Sequence, residues 1–491
     1  MPRSRATLSR FRLAPLAAVC LLLAGCVQSR IPGLGLRLPF PAGMNRLDTL
    51  RYEGDYQDLS WTESFDALHA KLSREYPFTE WKGVAWEELY DRFSLRVADA
   101  QARDDARAFY LALREYVHSI PDSYVDISME EAYRQEAVGG GFGFSVAPLA
   151  DDRLIVYRVA KNGPAEAAGI CWGAEILEWN GVPVRQALEQ APAEWASAPA
   201  PTYVGRLLDK CMLLTRGPVG SEARVVFQRP GEKRRITVIL TAQNDQYLGM
   251  GDIVDYSRPY SEMESPFEAK ILDGGVGLLR IHFQSATMTA PFPERAYKKA
   301  VERFAREGVR GVVLDLRGNT GGDLKLARVF AAPFLRESRS LGCMVCYDPD
   351  KGGFALETGE CAEFSPELPG LDVPVVVLVH RTTKDTGQLI ALALQGLPNV
   401  TVMGFLGTDG ALAKVGGEIR MPRGHVIHYP IGRLVDASGR VVVSTDARDI
   451  GGILPDIVPP LTPAELDAHF NQGRDPLLDM AVARLTGAPG A

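Results

Sequence analysis

Thr383-Lys384-Asp385-Thr386-Gly387-Gln388 gathers two hydroxyls, an amine and a carboxylate into one short run. It follows Val375 to Val379, an aliphatic stretch without alternation that reads as a strand covered on both faces. An apolar helix opens at Asp385 and stops against Gly396. Strand, sharp turn and helix present one side chain at a helix N-terminus, where N–H groups can hold an oxyanion. By position that side chain is Asp385. A carboxylate attacking an amide would have to form an anhydride and expel an amine, and it places negative charge where the tetrahedral oxyanion must develop. Two other uses stand beside attack: a base that activates water, or a purely structural carboxylate favoured in a first helical turn by about 0.3–1 kcal/mol.

Thr386 and Thr383 are the alternative nucleophiles, with Lys384 and Lys414 as bases. One residue turns a side chain by about 100 degrees around a helix axis, so Thr386 is expected to point away from a second constellation, Asp315-x-Arg317-x-Asn319-x-Gly321-Gly322. There a strand from Gly311 to Leu316 runs into a loop that ends on a glycine pair. In the bland alternative, Asp315 and Arg317 simply pair across a turn. His380, His425 and His428 are read as solvated or structural. A third constellation, Gly141-Phe142-Gly143-Phe144, opens a strand with glycines that let successive N–H groups face a peptide carboxylate, while the strand edge adds the peptide as a further strand.

These loops need elements to hold them. Trp61, Phe65, Leu68 and Leu72 share a helical face, as do Trp86, Leu89, Tyr90, Phe93 and Val97, and then Phe109, Leu113 and Val117. From Val138 the pattern becomes short strands and glycine turns, with residues 187–210 reading as an insertion or flexible connection. Tyr297, Ala300, Val301 and Phe304 mark an amphipathic helix stopped by Gly308.

The stretch from Gly141 through Gly163-Pro164-Ala165-Glu166-Ala167-Ala168-Gly169 to Asn180-Gly181 resembles a PDZ domain. The strand and loop ending at Gly321-Gly322 resemble the tail-specific, or C-terminal-processing, serine peptidase family, and the resemblance covers roughly residues 105 to 486. With the resemblance, the chain reads as an α/β and α+β multidomain protein: a signal segment (1–25), a tether (26–47), an N-terminal helical region (48–135), a PDZ-like β-rich domain (136–244) and a mixed α/β, crotonase/ClpP-like protease core (245–488). The resemblance implies that the Gly321 and Gly322 amides serve an oxyanion hole, that Gly141 to Phe144 bind a peptide carboxylate, and that Val441 to Pro460 include a terminal strand. The catalytic slots depart from the family. The serine slot holds Asp385, the following glutamate slot Gln388, and the lysine slot Gly410 or, with a one-residue shift, Ala411. Where a sister branch carries Asp-Gly-His, this chain has Asp122-Ser123-Tyr124. The expectation is a pseudopeptidase that binds protein or peptide C-termini, the alternative being an endopeptidase with a displaced threonine nucleophile.

The chain has 491 residues, 46% hydrophobic and 23% charged, and a net charge of −7. That length suggests several domains, and the absence of a basic surplus argues against a nucleic-acid partner. Arg3, Arg5, Arg10 and Arg12 precede an apolar run, Leu13 to Leu23, that closes on Leu23-Ala24-Gly25-Cys26. This resembles a bacterial lipoprotein signal with Cys26 as the acylated residue. The implied location is a bacterial membrane, facing the periplasm or the cell exterior. Of Cys171, Cys211, Cys343, Cys346 and Cys361, a disulfide within 343–361 is expected in preference to a thiolate metal site, leaving one thiol over. No metal or cofactor is expected.

Overall fold

The computed structural model describes residues 28–30, 37–39, 51–250, 261–367 and 370–487. The chain forms two units, Met1–Leu50 and Arg51–Ala491. In the first, Gln28–Arg30 and Arg37–Pro39 pair antiparallel; Cys26 and residues 1–25 lie outside the described residues. Among the described residues, no helix is long and apolar enough to cross a membrane.

In the second unit, helix Trp61–Glu75 opens on a capping box in which Ser60 accepts from the Glu63 N–H and Glu63 accepts from the Ser60 N–H. Helices Trp86–Ala102 and Ala106–His118 pack with it through Phe65, Leu68, Phe93, Phe109 and Leu113. The same core contains Ile419, Met421, Ile427 and Tyr429 from far along the chain. Strand Arg51–Asp55 pairs parallel with Lys414–Arg420, and Asp126–Ile127 pairs with Val426–Val435. The helical region is therefore built into the C-terminal part, joined to it by a shared core and shared sheet.

The PDZ-like region is a sheet ordered Arg235–Thr241, Glu222–Gln228, Glu175–Trp179, Leu154–Val159, Phe144–Pro148. Helix Tyr203–Leu214, capped by Thr202 on the Gly205 N–H at 3.0 Å, contributes Cys211 and Leu214 to its core. Residues 187–210 are thus no flexible connection. They finish helix Val184–Glu189, form a turn at Ala193–Trp195 and supply most of the helix beside the Phe144 strand.

The remaining layer holds the candidate chemistry. Five strands run side by side in chain order: Phe267–Leu272, Val276–Ile281, Gly311–Asp315, Val375–Leu378 and Val400–Met403. The first pair is antiparallel and the later neighbours are parallel. Every residue of Gly311–Asp315 and Val375–Leu378 is buried, as expected where both faces are covered. Helices Pro293–Glu307, Leu324–Ala331 and Thr386–Leu394 pack through Tyr297, Phe330 and Ile390, and helix Pro476–Thr486 packs through Leu477 against the opposite set, Leu278, Val313 and Val376. Residues 441–460, where a terminal strand was expected, make only isolated bridges at Val441 and Ile457.

A second sheet is ordered Gly353–Phe364, Arg339–Asp348, Val426–Val435, Lys414–Arg420, Arg51–Asp55. Cys343 and Cys361 are cross-strand neighbours joined by a disulfide. Cys171, Cys211 and Cys346 stay reduced, so three thiols remain where one was expected. Burial pushes the Cys211 and Cys346 thiols up to about 12, which keeps both protonated.

Candidate functional site

Parallel strands deliver both central loops to one end of the sheet, since Asp315 stands in register with Leu378. The first loop is fixed by charge. Arg317, 1% exposed, bonds Asp315 at 2.8 Å through two nitrogens and Asp475 at 2.8 and 2.6 Å. Arg280 adds a further bond to Asp315 at 2.8 Å. Burial alone would raise the Asp315 carboxyl, but Arg317 and then Arg280 outweigh it and hold it at about 2. The Asp-x-Arg pair is therefore a buried anchor, and it aims the glycine pair at the neighbouring turn.

That turn carries Asp385 as the N-cap of helix Thr386–Leu394, with φ 49° and ψ −130°, a conformation a non-glycine residue rarely adopts. Its N–H donates to Ala411 O at 2.8 Å. Its side chain lies on Gly321: a Cβ built there would come within 2.4 Å of Asp385 Cβ and 2.7 Å of Oδ2. Gly321, at φ +90°, is thus glycine for two reasons, its conformation and the carboxylate resting on it.

The two oxyanion candidates have different fates. The Gly321 N–H donates to Asn319 Oδ1 at 2.9 Å and is engaged inside its own loop, contrary to the expectation for it. The Gly322 N–H has no acceptor among the described residues, and neither has the Thr386 N–H, one of the orphan donors of the helix start.

Three donors converge on one atom. Ala411 O accepts from Asp385 N, from Gln388 Nε2 at 2.7 Å and from the Tyr124 hydroxyl at 3.4 Å. The Gln388 Oε1 in turn accepts from Thr408 Oγ1. Gly410 leaves no room for a longer side chain: at φ +66°, a Cβ would meet Thr445 Oγ1 at 2.4 Å.

The threonines are occupied. Thr383 Oγ1 donates to Leu316 O at 2.8 Å and accepts from His380 N at 3.1 Å. Thr386 Oγ1 lies 3.1 Å from Gln284 Oε1 and 3.2 Å from Gly322 O. It therefore faces the glycine pair, where the helical turn suggested it would point away, but it meets a carbonyl oxygen and no base. Among the described residues no lysine amine lies within hydrogen-bonding reach of either threonine hydroxyl. Lys414 binds Glu357 at 2.6 Å and Glu360 at 3.0 Å. His380 Nδ1 contacts Thr382 Oγ1 at 3.0 Å, His428 Nδ1 contacts Asp126 at 2.7 Å, and His425 lies against Tyr110 with Nδ1 3.1 Å from Glu130.

The PDZ-like region reaches this turn directly. Arg381, beside His380, pairs with Asp209 of helix Tyr203–Leu214 at 3.0 Å and with Asp409 at 3.4 Å, and Thr202 donates to Asp409 at 2.8 Å.

The carboxylate loop differs from expectation in its first half. Gly141 pairs with Arg216 on one side and Gln243 on the other, and Phe142 N donates to Thr215 O at 3.1 Å. The carboxylate of Asp245 lies against Gly141, held by Arg216 at 2.6 and 3.0 Å and by the N–H groups of Tyr247 and Gly249. Gly143, at φ +83°, turns the chain into the strand that Phe144 begins.

Residues 275–458 match the Peptidase family S41 description, and residues 133–197 match the PDZ domain. The chain is a member of peptidase family S41. It is 25% identical over 440 residues to a carboxyl-terminal-processing protease of Picosynechococcus, spanning 85% of this chain and 89% of that protein. It is 24% identical to the carboxy-terminal processing protease CtpA of Bacillus subtilis over 62% of this chain and 55% of the relative. In fold it is similar to mature CPAF, with a TM-score of 0.58 at 14% identity over 88% of this chain and 98% of that one. The S41 match spans both central loops, from the strand Val276–Ile281 through the Asp385 turn to Ile457.

Proposed function

We propose that this S41 family member is a catalytically silent peptidase that grips protein C-termini through its PDZ domain and its preserved cleft. One observation carries the reading. The carboxylate of Asp385 stands on Gly321, where the family presents a hydroxyl, and the neighbouring lysine slot offers the Ala411 carbonyl to the Asp385 N–H. A carbonyl oxygen cannot remove a proton from a nucleophile, and a fixed carboxylate repels the oxyanion that the open Gly322 N–H would otherwise stabilise. The endopeptidase alternative requires Thr386 or Thr383 to be activated, and both hydroxyls contact carbonyl oxygens. The relatives named as proteases set the family background against which this loss is read.

We infer also that the chain is exported and lipid-anchored at Cys26, on the strength of the arginine-rich start, the short apolar run and the Leu-Ala-Gly-Cys sequence. The deciding experiment incubates the purified protein with an unstructured protein substrate and, separately, with a fluorophosphonate probe. Neither turnover nor labelling is expected, while peptides with a free apolar C-terminus bind and their amides do not. Turnover abolished by Thr386→Val would establish the endopeptidase reading instead.

A further inference from the structure

A cavity of about 460 Å³ opens among the helical region, residues 193–201, helix Tyr203–Leu214 and the loop 445–449. Its size falls in the range of small-ligand sites, about 300–1,000 Å³. Most charges in its wall are neutralised by neighbours: Arg206 by Asp449 at 3.0 Å, Asp209 by Arg381 at 3.0 Å and Lys210 by Glu189 at 2.9 Å. Two are not. Lys82 and Glu194 have no ion-pair partner among the described residues.

Lys82 is 5% exposed, and among the described residues its ammonium group has a single hydrogen-bond acceptor, Thr445 O at 3.1 Å, with the Phe78 ring 5.6 Å away. An ammonium carries three donors, and burying it without an anion is costly. The nearby Asp122 already accepts from the Tyr76 hydroxyl at 2.7 Å and the Tyr124 N–H at 3.0 Å. His118 lines the same wall, and its Nε2 is buried without a partner. Burial holds that imidazole down at about 3, so it offers hydrogen bonding without charge.

We propose that this cavity binds a short peptide, with Lys82 as counter-ion to its free α-carboxylate and Glu194 receiving its α-ammonium. The wall itself selects that class. A multiply charged phosphate would face Glu115, Glu194, Asp446 and Asp449 with one unneutralised cation in its favour. A zwitterion supplies one charge of each sign, matching the two left over. The site is separate from the carboxylate loop at Gly141 and does not depend on the cleft being silent.

The test is calorimetric titration of the full chain with trialanine, its C-terminal amide and its N-acetyl form. Trialanine is expected to bind, and amidation to weaken it about tenfold or more, the effect of losing a charged hydrogen bond. Lys82→Met should produce the same loss, Lys82→Arg should restore part of the binding, and Glu194→Gln should remove the penalty for N-acetylation. A decapeptide with a free apolar C-terminus should bind Lys82→Met as it binds wild type, which separates this site from the PDZ loop. The proposal is overturned if trialanine does not bind, if it and its amide bind alike, if Lys82→Met leaves its affinity unchanged, or if the decapeptide displaces it. Should Lys82→Met fail to fold, the amide comparison and the Glu194→Gln titrations decide alone.

Discussion

The carbonyl oxygen of Ala411 lies 2.8 Å from the backbone nitrogen of Asp385, so the segment around Gly410 is stitched to the turn that opens helix Thr386–Leu394. The bond fixes the two segments against each other through backbone alone, whatever side chains stand at either position. On the proposed reading, restoring one group does not restore the reaction.

If the cleft is silent as proposed, Asp385→Ser returns a hydroxyl to a turn bonded to the Ala411 carbonyl, and the variant is expected to remain unlabelled by fluorophosphonates and to leave an unstructured substrate intact. Gly410→Lys adds no base either, because its Cβ would strike Thr445 Oγ1 at 2.4 Å in a left-handed backbone. That variant should instead lose about 2 kcal/mol or more of stability, measured by denaturant unfolding. Labelling of Asp385→Ser alone would show that another group serves as base.

Gly321→Ala tests the contact beneath the carboxylate. A methyl group 2.4 Å from Asp385 Cβ at φ +90° should destabilise by about 2–4 kcal/mol. The double variant Gly321→Ala, Asp385→Gly should recover the steric share and leave the backbone share, giving a coupling of about 1 kcal/mol or more in a double-mutant cycle. Additive effects would place the two side chains apart.

Acid should loosen the site from the Asp-x-Arg anchor. Asp315 is held at about 2 in the folded chain, and Asp475 is also depressed, burial opposing and Arg317 prevailing in both. A depressed carboxyl contributes stability that is complete above its unfolded value, about 4, and lost as pH falls through the folded value. Tm should therefore be steady above about pH 5 and fall toward pH 2, with a shallower fall in Asp475→Asn. Equal slopes in both proteins would remove Asp475 from the account.

Reduction of Cys343–Cys361 opens a cross-link of sequence separation 18 and should cost about 3 kcal/mol on the chain-entropy account. Thermal melts with and without reductant, alongside Cys343→Ser, measure it. Cys346, hydrogen-bonded to Glu357 at 2.8 Å and protonated, should not exchange into the bridge at neutral pH.

Much of this was legible in the chain because it is local. Unbroken valine runs mark buried parallel strands, and the turn after Val379 fixes where Asp385 stands, at the start of the helix that follows. What escaped was long-range pairing. Nothing near Thr386 announces Gln284, 102 residues earlier. Residues 203–214 lacked a complete apolar stripe because Asp209 on their helix is buried by pairing with Arg381, some 170 residues on. The helical region looked separate for a similar reason: its partners, Ile419 to Tyr429, come last in the chain.

The carboxylate of Asp245 resting on Gly141 sets a threshold for any incoming peptide terminus. A tethered group competes at an effective concentration in the millimolar range when its linker is short, whereas a free chain end competes at its concentration in solution. If the loop takes chain ends as proposed, its apparent affinity is the intrinsic affinity scaled by the fraction of time Asp245 is away, so chain ends presented at high local density would bind where the same ends, dilute, would not.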